Sequence, residues 1–259
     1  MKTGLASVAF RQLKPAEIVK MVGKAGLDGI EWGGDIHVPS GDIKQANEVL
    51  KMTMDEGLEV SSYGSYYRLG CGRENKTGFD RILATAVQLK APVIRVWAGN
   101  RASADADEAY WNAVAEDAFN IAGLAQKSGV QVALEYHEDT LTDTPESACR
   151  LLKEVNHSNL RSYWQTHMET SPAERLEELR DIAPWLVNVH IFSMVNNQRT
   201  ELAEIAGEWK TYMEVIRKID TVRYCMLEFV KDNSPQQFFR DAETLKYLVG
   251  TPESISQIL

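Results

Sequence analysis

The chain has 259 residues, 44% hydrophobic and 25% charged, a composition that fits one large or two small globular domains. Its formal net charge of -9, with Lys and Arg scattered, argues against a surface built to follow a nucleic-acid backbone. Three widely spaced cysteines, Cys71, Cys149 and Cys225, make no CxxC pair, which argues against a disulfide framework or a thiolate zinc site and suits reduced thiols.

The first residues, MKTGLASVAF, lack the long apolar core of a signal peptide. No apolar run nears the roughly 20 residues of a membrane span, so the expectation is a soluble cytoplasmic protein without membrane or nucleic-acid partners. A strand candidate, Gly4–Ala9, precedes a helix candidate, Pro15–Ala25. The alternation then continues. Gly29–Trp32 is followed by Asp42–Glu56, Leu58–Tyr63 by Phe79–Lys90, and Val93–Ala98 by Ala106–Ser128. Gln131–Tyr136 is followed by Pro145–Val155, Leu160–Gln165 by Pro172–Ile182, Leu186–Phe192 by Glu208–Ile219, and Tyr224–Phe229 by Pro235–Val249.

Several helix ends carry their own signals. Pro15, Pro145, Pro172 and Pro235 suit a first helical position, where the missing N–H costs nothing. Thr144, Ser171 and Ser234 stand before three of them as N-caps. Gly26, Gly57 and Gly129 follow helices, as C-terminal glycines do. Helix 42–56 is expected to bury a stripe of Ile43, Ala46, Val49, Leu50 and Met54.

Strand and helix alternating eight times, about 32 residues per unit, implies parallel strands joined by right-handed crossovers. The count and size are those of a (β/α)₈ TIM barrel, with residues 1–259 as a single domain. A doubly wound sheet would turn its first strand into a Gly-rich phosphate loop, and here Phe10-Arg11-Gln12-Leu13 follows instead.

In such a barrel, chemistry gathers at the C-terminal strand ends. Period-two alternation puts Ala133, Glu135 and His137 on one face of the fifth strand, with Val132, Leu134 and Tyr136 on the other. The same parity turns Gln165 and His167 inward on the sixth strand, Asn188 and His190 on the seventh, and Met226 and Glu228 on the eighth. Glu135, Gln165, His190 and Glu228 together make a hard, oxygen-rich ligand set. It suits one divalent ion, Mn²⁺ first, with Mg²⁺, Co²⁺ or Zn²⁺ as alternatives. Residue by residue, bland readings compete: a solvated Glu135, a satisfied core His190, or Glu228 paired with Arg95. Trp32, His37, Tyr66 and Trp97 are candidates for the pocket wall, although as aromatic or core residues they serve packing equally well.

Five segments in this order, GIEWGGDIHVP (29–39), VIRVWAG (93–99), VALEYHEDTLTDTPES (132–147), VNVHIF (187–192) and CMLEF (225–229), resemble the xylose isomerase-like TIM barrels, the sugar phosphate isomerase/epimerase superfamily. The resemblance implies one metal held by Glu, Asp, His and Glu at strands five to eight, here Glu135, His190 and Glu228. The second ligand departs from the pattern: Tyr163-Trp164-Gln165-Thr166-His167 offers Gln165 where the family has an acid. The family's arginine after the strand-seven histidine has no exact counterpart; Asn196 lies six residues on and Arg199 nine.

The expected activity is a metal-dependent isomerase or epimerase of a small sugar, sugar phosphate or keto-acid. It would abstract a proton to form an enediolate, with Glu135 and Glu228 as both ligands and acid–base pair. His137 and His167 are candidates for hydroxyl binding or proton relay, and Arg199 for substrate binding. Gly33, Gly34 and Arg199 make a thin phosphate site, so an unphosphorylated substrate is preferred. Two alternatives share the site: a lyase dehydrating a keto-inositol or a shikimate-like acid, and a metal-free sugar-binding barrel suggested by Gln165. The apurinic endonucleases of the same barrel need more histidine and a basic surface, which this chain does not supply. The sequence leaves a homo-oligomer open.

Overall fold

Eight parallel strands form the inner wall of the molecule. They are β1 (Lys2–Ala6), β2 (Gly29–Gly33), β3 (Glu59–Arg68), β4 (Val93–Trp97), β5 (Gln131–Leu134), β6 (Leu160–Trp164), β7 (Leu186–Ile191) and β8 (Tyr224–Leu227). The computed structural model describes residues 1–167 and 170–250. Each strand pairs with its sequence neighbours, and β1 pairs with β8 through Lys2–Tyr224 to Leu5–Leu227, so the sheet closes as a (β/α)₈ barrel. A two-stranded hairpin, Met194–Val195 with Gln198–Arg199, follows β7.

Helices α1 (Pro15–Ala25), α2 (Ile43–Asp55), α3 (Phe79–Gln88), α4 (Glu108–Gln126), α5 (Pro145–Val155), α6 (Pro172–Ile182), α7 (Ala206–Ile216) and α8 (Pro235–Val249) surround it. The local signals work as expected. Thr144, Ser171 and Ser234 accept from the backbone N–H of Ser147, Glu174 and Gln237, and Gly26, Gly57 and Gly129 take positive φ. The stripe on α2 is narrower than its pattern. Ala46, Val49 and Thr53 are buried, whereas Ile43 and Met54 are 42% and 54% exposed, because they lie about a quarter-turn off the face that meets the barrel.

The core lies in two parts. The larger fills the space between strands and helices and holds Val132, Leu134 and Tyr136. The smaller, Val93, Ala133, Tyr163, Val187, Tyr224 and Met226, fills the barrel itself. Val187 belongs by strict alternation to the outer face. It turns inward because the β6–β7 register skips one residue there, Ser162 pairing with Leu186 and Tyr163 with Asn188. Strand β3 runs five residues past its expected end at Tyr63. Its pairing with β4 jumps from Gly64–Arg95 to Arg68–Trp97, so four steps on β3 span two on β4.

Candidate active site at the barrel mouth

Above the interior plug, the C-terminal strand ends carry a buried polar cluster. Glu135, His190 and Glu228 each offer one atom, and these atoms lie within 4.8 Å of one another. Three oxygens surround His190 Nδ1: Gln165 Oε1 at 3.2 Å, Glu228 Oε2 at 3.4 Å and Glu135 Oε1 at 3.5 Å. The Gln165 amide is turned this way by its other end, since Nε2 donates to the Tyr136 carbonyl at 2.8 Å. Among the described residues, none donates a hydrogen bond to the buried Glu228 Oε2. An orphaned buried carboxylate oxygen beside one imidazole nitrogen and two further oxygens fits a divalent ion. Glu135, His190 and Glu228, with Gln165 completing the set, are the residues that would hold it.

A second layer supports these groups. His190 Nε2 faces Glu31 Oε1 at 3.4 Å, the arrangement that orients a ligating histidine through its far nitrogen. Glu31 also accepts from Ser62 Oγ at 2.7 Å, Tyr163 Oη at 2.9 Å and Arg95 Nε at 2.9 Å. Arg95 reaches across to Glu135 as well, where Nη1 donates to Oε2, and Trp97 Nε1 donates to the same oxygen. Arg95 thus pairs with Glu31 and Glu135 by direct hydrogen bonds, not with Glu228.

Electrostatics tie the cluster together. Burial would raise the Glu31 carboxyl, but Arg95 and His190 outweigh it and hold Glu31 far below the usual carboxylate range. Burial would likewise lower His190, and Glu228 and Glu31 overcome this, pushing the imidazole up to about 9. Glu228 is lowered by His190 and Arg95 against its burial.

A cavity of about 480 Å³ opens over the cluster. Of the residues the sequence proposes, Glu135, Gln165 and Glu228 form part of its lining, with Tyr66, Trp97, His137, His167 and Arg199 around them. Arg199 Nη1 donates to Asn233 Oδ1 at 2.8 Å and its guanidinium lies 4.4 Å from the Phe229 ring centre. Two expected wall residues lie elsewhere. Trp32 is fully buried in the outer core and donates to Thr53 Oγ1, because its neighbour Glu31 takes the inward position on β2. His37 is buried behind β1, its Nδ1 at 2.9 Å from Ser7 Oγ and its Nε2 at 3.2 Å from the Leu13 carbonyl. Sequence reasoning misses Arg95, Tyr163 and Glu31 as site residues. A lone opposite charge in each of VIRVW and GIEWG, both at inward parity, is the signal that marks Arg95 and Glu31.

Residues 19–248 match the model of the xylose isomerase-like TIM barrel family. The chain belongs to this family. A 3-dehydroshikimate dehydratase from Bacillus anthracis is 25% identical over 259 residues, covering 90% of this chain and 92% of that protein. The crystal structure of AsbF from Bacillus anthracis, the probable 3-DHS dehydratase involved in petrobactin synthesis, superposes with a TM-score of 0.80 at 21% identity, over 95% of this chain and 99% of that one. D-Psicose 3-epimerase from Clostridium cellulolyticum H10, solved with D-tagatose, gives a TM-score of 0.72 at 17% identity, over 97% and 100%. The proteins that this chain resembles in sequence or fold thus include a dehydratase and an epimerase.

Proposed function

We propose that the protein is a metal-dependent lyase that dehydrates a small cyclic β-hydroxy ketone of the 3-dehydroshikimate class. The observation that carries this reading is the unequal clamping of the two glutamates. Glu135 Oε2 is taken by Arg95 and Trp97, and its other oxygen faces His190. Glu228 Oε2 receives no hydrogen bond from the described residues. One carboxylate is fixed and one is available. Epimerisation that removes a proton from one face and returns one to the other needs two available groups, whereas elimination needs one base and an acid for the leaving hydroxyl. The dehydratase relative supports the same choice.

In this reading Glu228, which would hold the ion through Oε2, takes the proton from the carbon beside the ketone with its other carboxylate oxygen on the cavity side. The electron pair of that C–H bond forms the new C=C bond as the β C–O bond breaks. His137, seated on the cavity wall with Nδ1 bonded to the Glu138 carbonyl at 2.7 Å, gives a proton from Nε2 to the departing hydroxyl, which leaves as water. Glu228 then passes its proton to solvent and His137 is reprotonated. A divalent ion bound by Glu135, Gln165, His190 and Glu228 would supply Lewis acidity to the ketone oxygen. Arg95 and Trp97 keep Glu135 from turning into the substrate space.

The test incubates Mn²⁺-loaded protein with 3-dehydroshikimate, and separately with D-fructose, and follows both by NMR. Loss of water to give a dihydroxybenzoate is the expected result. Epimerised ketohexose with unchanged 3-dehydroshikimate would reverse the assignment and make Glu135 a second acid–base group.

A further inference from the structure

A second cavity of about 460 Å³ adjoins the first, and Tyr66 and Trp97 line both. These two rings meet edge to face, 5.3 Å apart at 69°. Each side of the partition is braced. His137, on the wall of the first cavity, lies 4.3 Å from the Trp97 ring centre, and the guanidinium of Arg68, on the wall of the second, lies 4.2 Å from it. Tyr66 is held by Arg11, whose Nη2 donates to its hydroxyl at 2.7 Å and which is itself paired with Asp35.

The backbone is bent to put Tyr66 there. It sits in the stretch where β3 takes four steps to β4's two, and its φ is +59°. A bulky side chain rarely adopts this left-handed conformation, and such cost concentrates where a side chain must be aimed. Beyond the partition, the second cavity combines the faces of Tyr66, Tyr67 and Trp97 with Ser40, Asn75 and Thr77. Aromatic rings edged by hydroxyl groups and by the charged Asp35, Arg68, Glu74 and Lys76 match the apolar C–H faces and polar edges of a hydroxylated ring.

We propose that Tyr66 sets substrate size: it confines the reacting molecule to one ring, and the cavity behind it is a subsite for a second hydroxylated ring that opens when the tyrosine ring is removed. This rests on the first cavity being the reaction site, and its test therefore reads binding rather than turnover. Mn²⁺-loaded wild type, Tyr66→Phe, Tyr66→Ala and Tyr66→Gly are titrated calorimetrically with two probe pairs. One pair is shikimate and its 4-O-β-D-glucoside; the other is D-fructose and isomaltulose, its glucosylated form. Glycine is favoured at positive φ, so Tyr66→Gly keeps the test open should the alanine variant not fold.

Wild type and Tyr66→Phe are expected to bind the single ring at least about tenfold tighter than its two-ring partner, and the glycine and alanine variants to bring the two within about threefold. A ratio unchanged in Tyr66→Gly, or no discrimination in wild type, would overturn the proposal. Binding of the fructose pair alone would remove the dehydratase reading while still deciding the role of Tyr66. Failure of both single rings to bind any of the four proteins would overturn both.

Discussion

Replacing Arg95 with methionine should destabilise the protein and tighten its hold on a divalent cation at once. Glu31, Glu135 and Glu228 contribute three buried negative charges, and Arg95 returns one positive charge. Once His190 gives up its proton to ligate, the group carries a charge of -2, which a divalent ion balances. Methionine keeps most of the side-chain volume and takes the charge to -3, stranding Glu31 Oε1 and Glu135 Oε2 without their guanidinium. Removing one partner of a buried ion pair costs about 3–5 kcal/mol. In a chain of this size each kcal/mol moves the melting temperature by about 2–4 °C, so the metal-free variant should melt at least about 6 °C lower. Calorimetric melts of wild type and variant, with and without Mn²⁺, make the check. Manganese should recover more of the loss in the variant than it adds to wild type. A metal-free melting temperature within about 2 °C of wild type, or equal manganese stabilisation in both, would refute this charge balance.

Three further outcomes are expected. Glu228→Gln should slow exchange of the substrate's α-proton with solvent by roughly 10²–10⁴-fold without unfolding the barrel, measured by deuterium incorporation; undiminished exchange removes Glu228 as the base. Gln165→Leu removes the oxygen 3.2 Å from His190 Nδ1 and should weaken Mn²⁺ binding by about 10–100-fold in a calorimetric titration, while unaltered affinity would show that the amide does not ligate. Glu178, on α6, is raised to about 7: burial lifts it, Arg175 pulls it down, and Glu146 and Glu174 lift it further. Because its folded pKa lies above the unfolded value near 4.5, the native state holds the proton more tightly, and this contribution to stability is lost as pH rises from about 4.5 to 7. Glu178→Gln should therefore raise the melting temperature at pH 8 and leave it unchanged at pH 4; an equal change at both pH values would place the effect in packing.

Periodicity and local chemistry alone determined much of this molecule. Eight alternations of short apolar and longer amphipathic segments required a parallel sheet with crossover helices. Prolines and hydroxyl caps fixed the starts of α5, α6 and α8. Period-two parity turns Glu135, His190 and Glu228 to the inner face of their strands without reference to any contact, since alternation is a property of a single strand.

What only the tertiary structure decided lies in pairings between strands. Arg95 is 64 residues from Glu31 and 40 from Glu135, and its choice between them and Glu228 follows from barrel closure and register. Trp32 and Glu31 differ by one step of parity, and that step sent the aromatic ring to the outer core. Tyr66 lies in a segment that reads as loop, because a bulge leaves no period in the sequence; its place in the unpaired stretch between Gly64–Arg95 and Arg68–Trp97 makes it a wall between two cavities. Local pattern is written residue by residue, whereas the bonds that clamp Glu135 and leave Glu228 unclamped exist only once distant strands are brought into register.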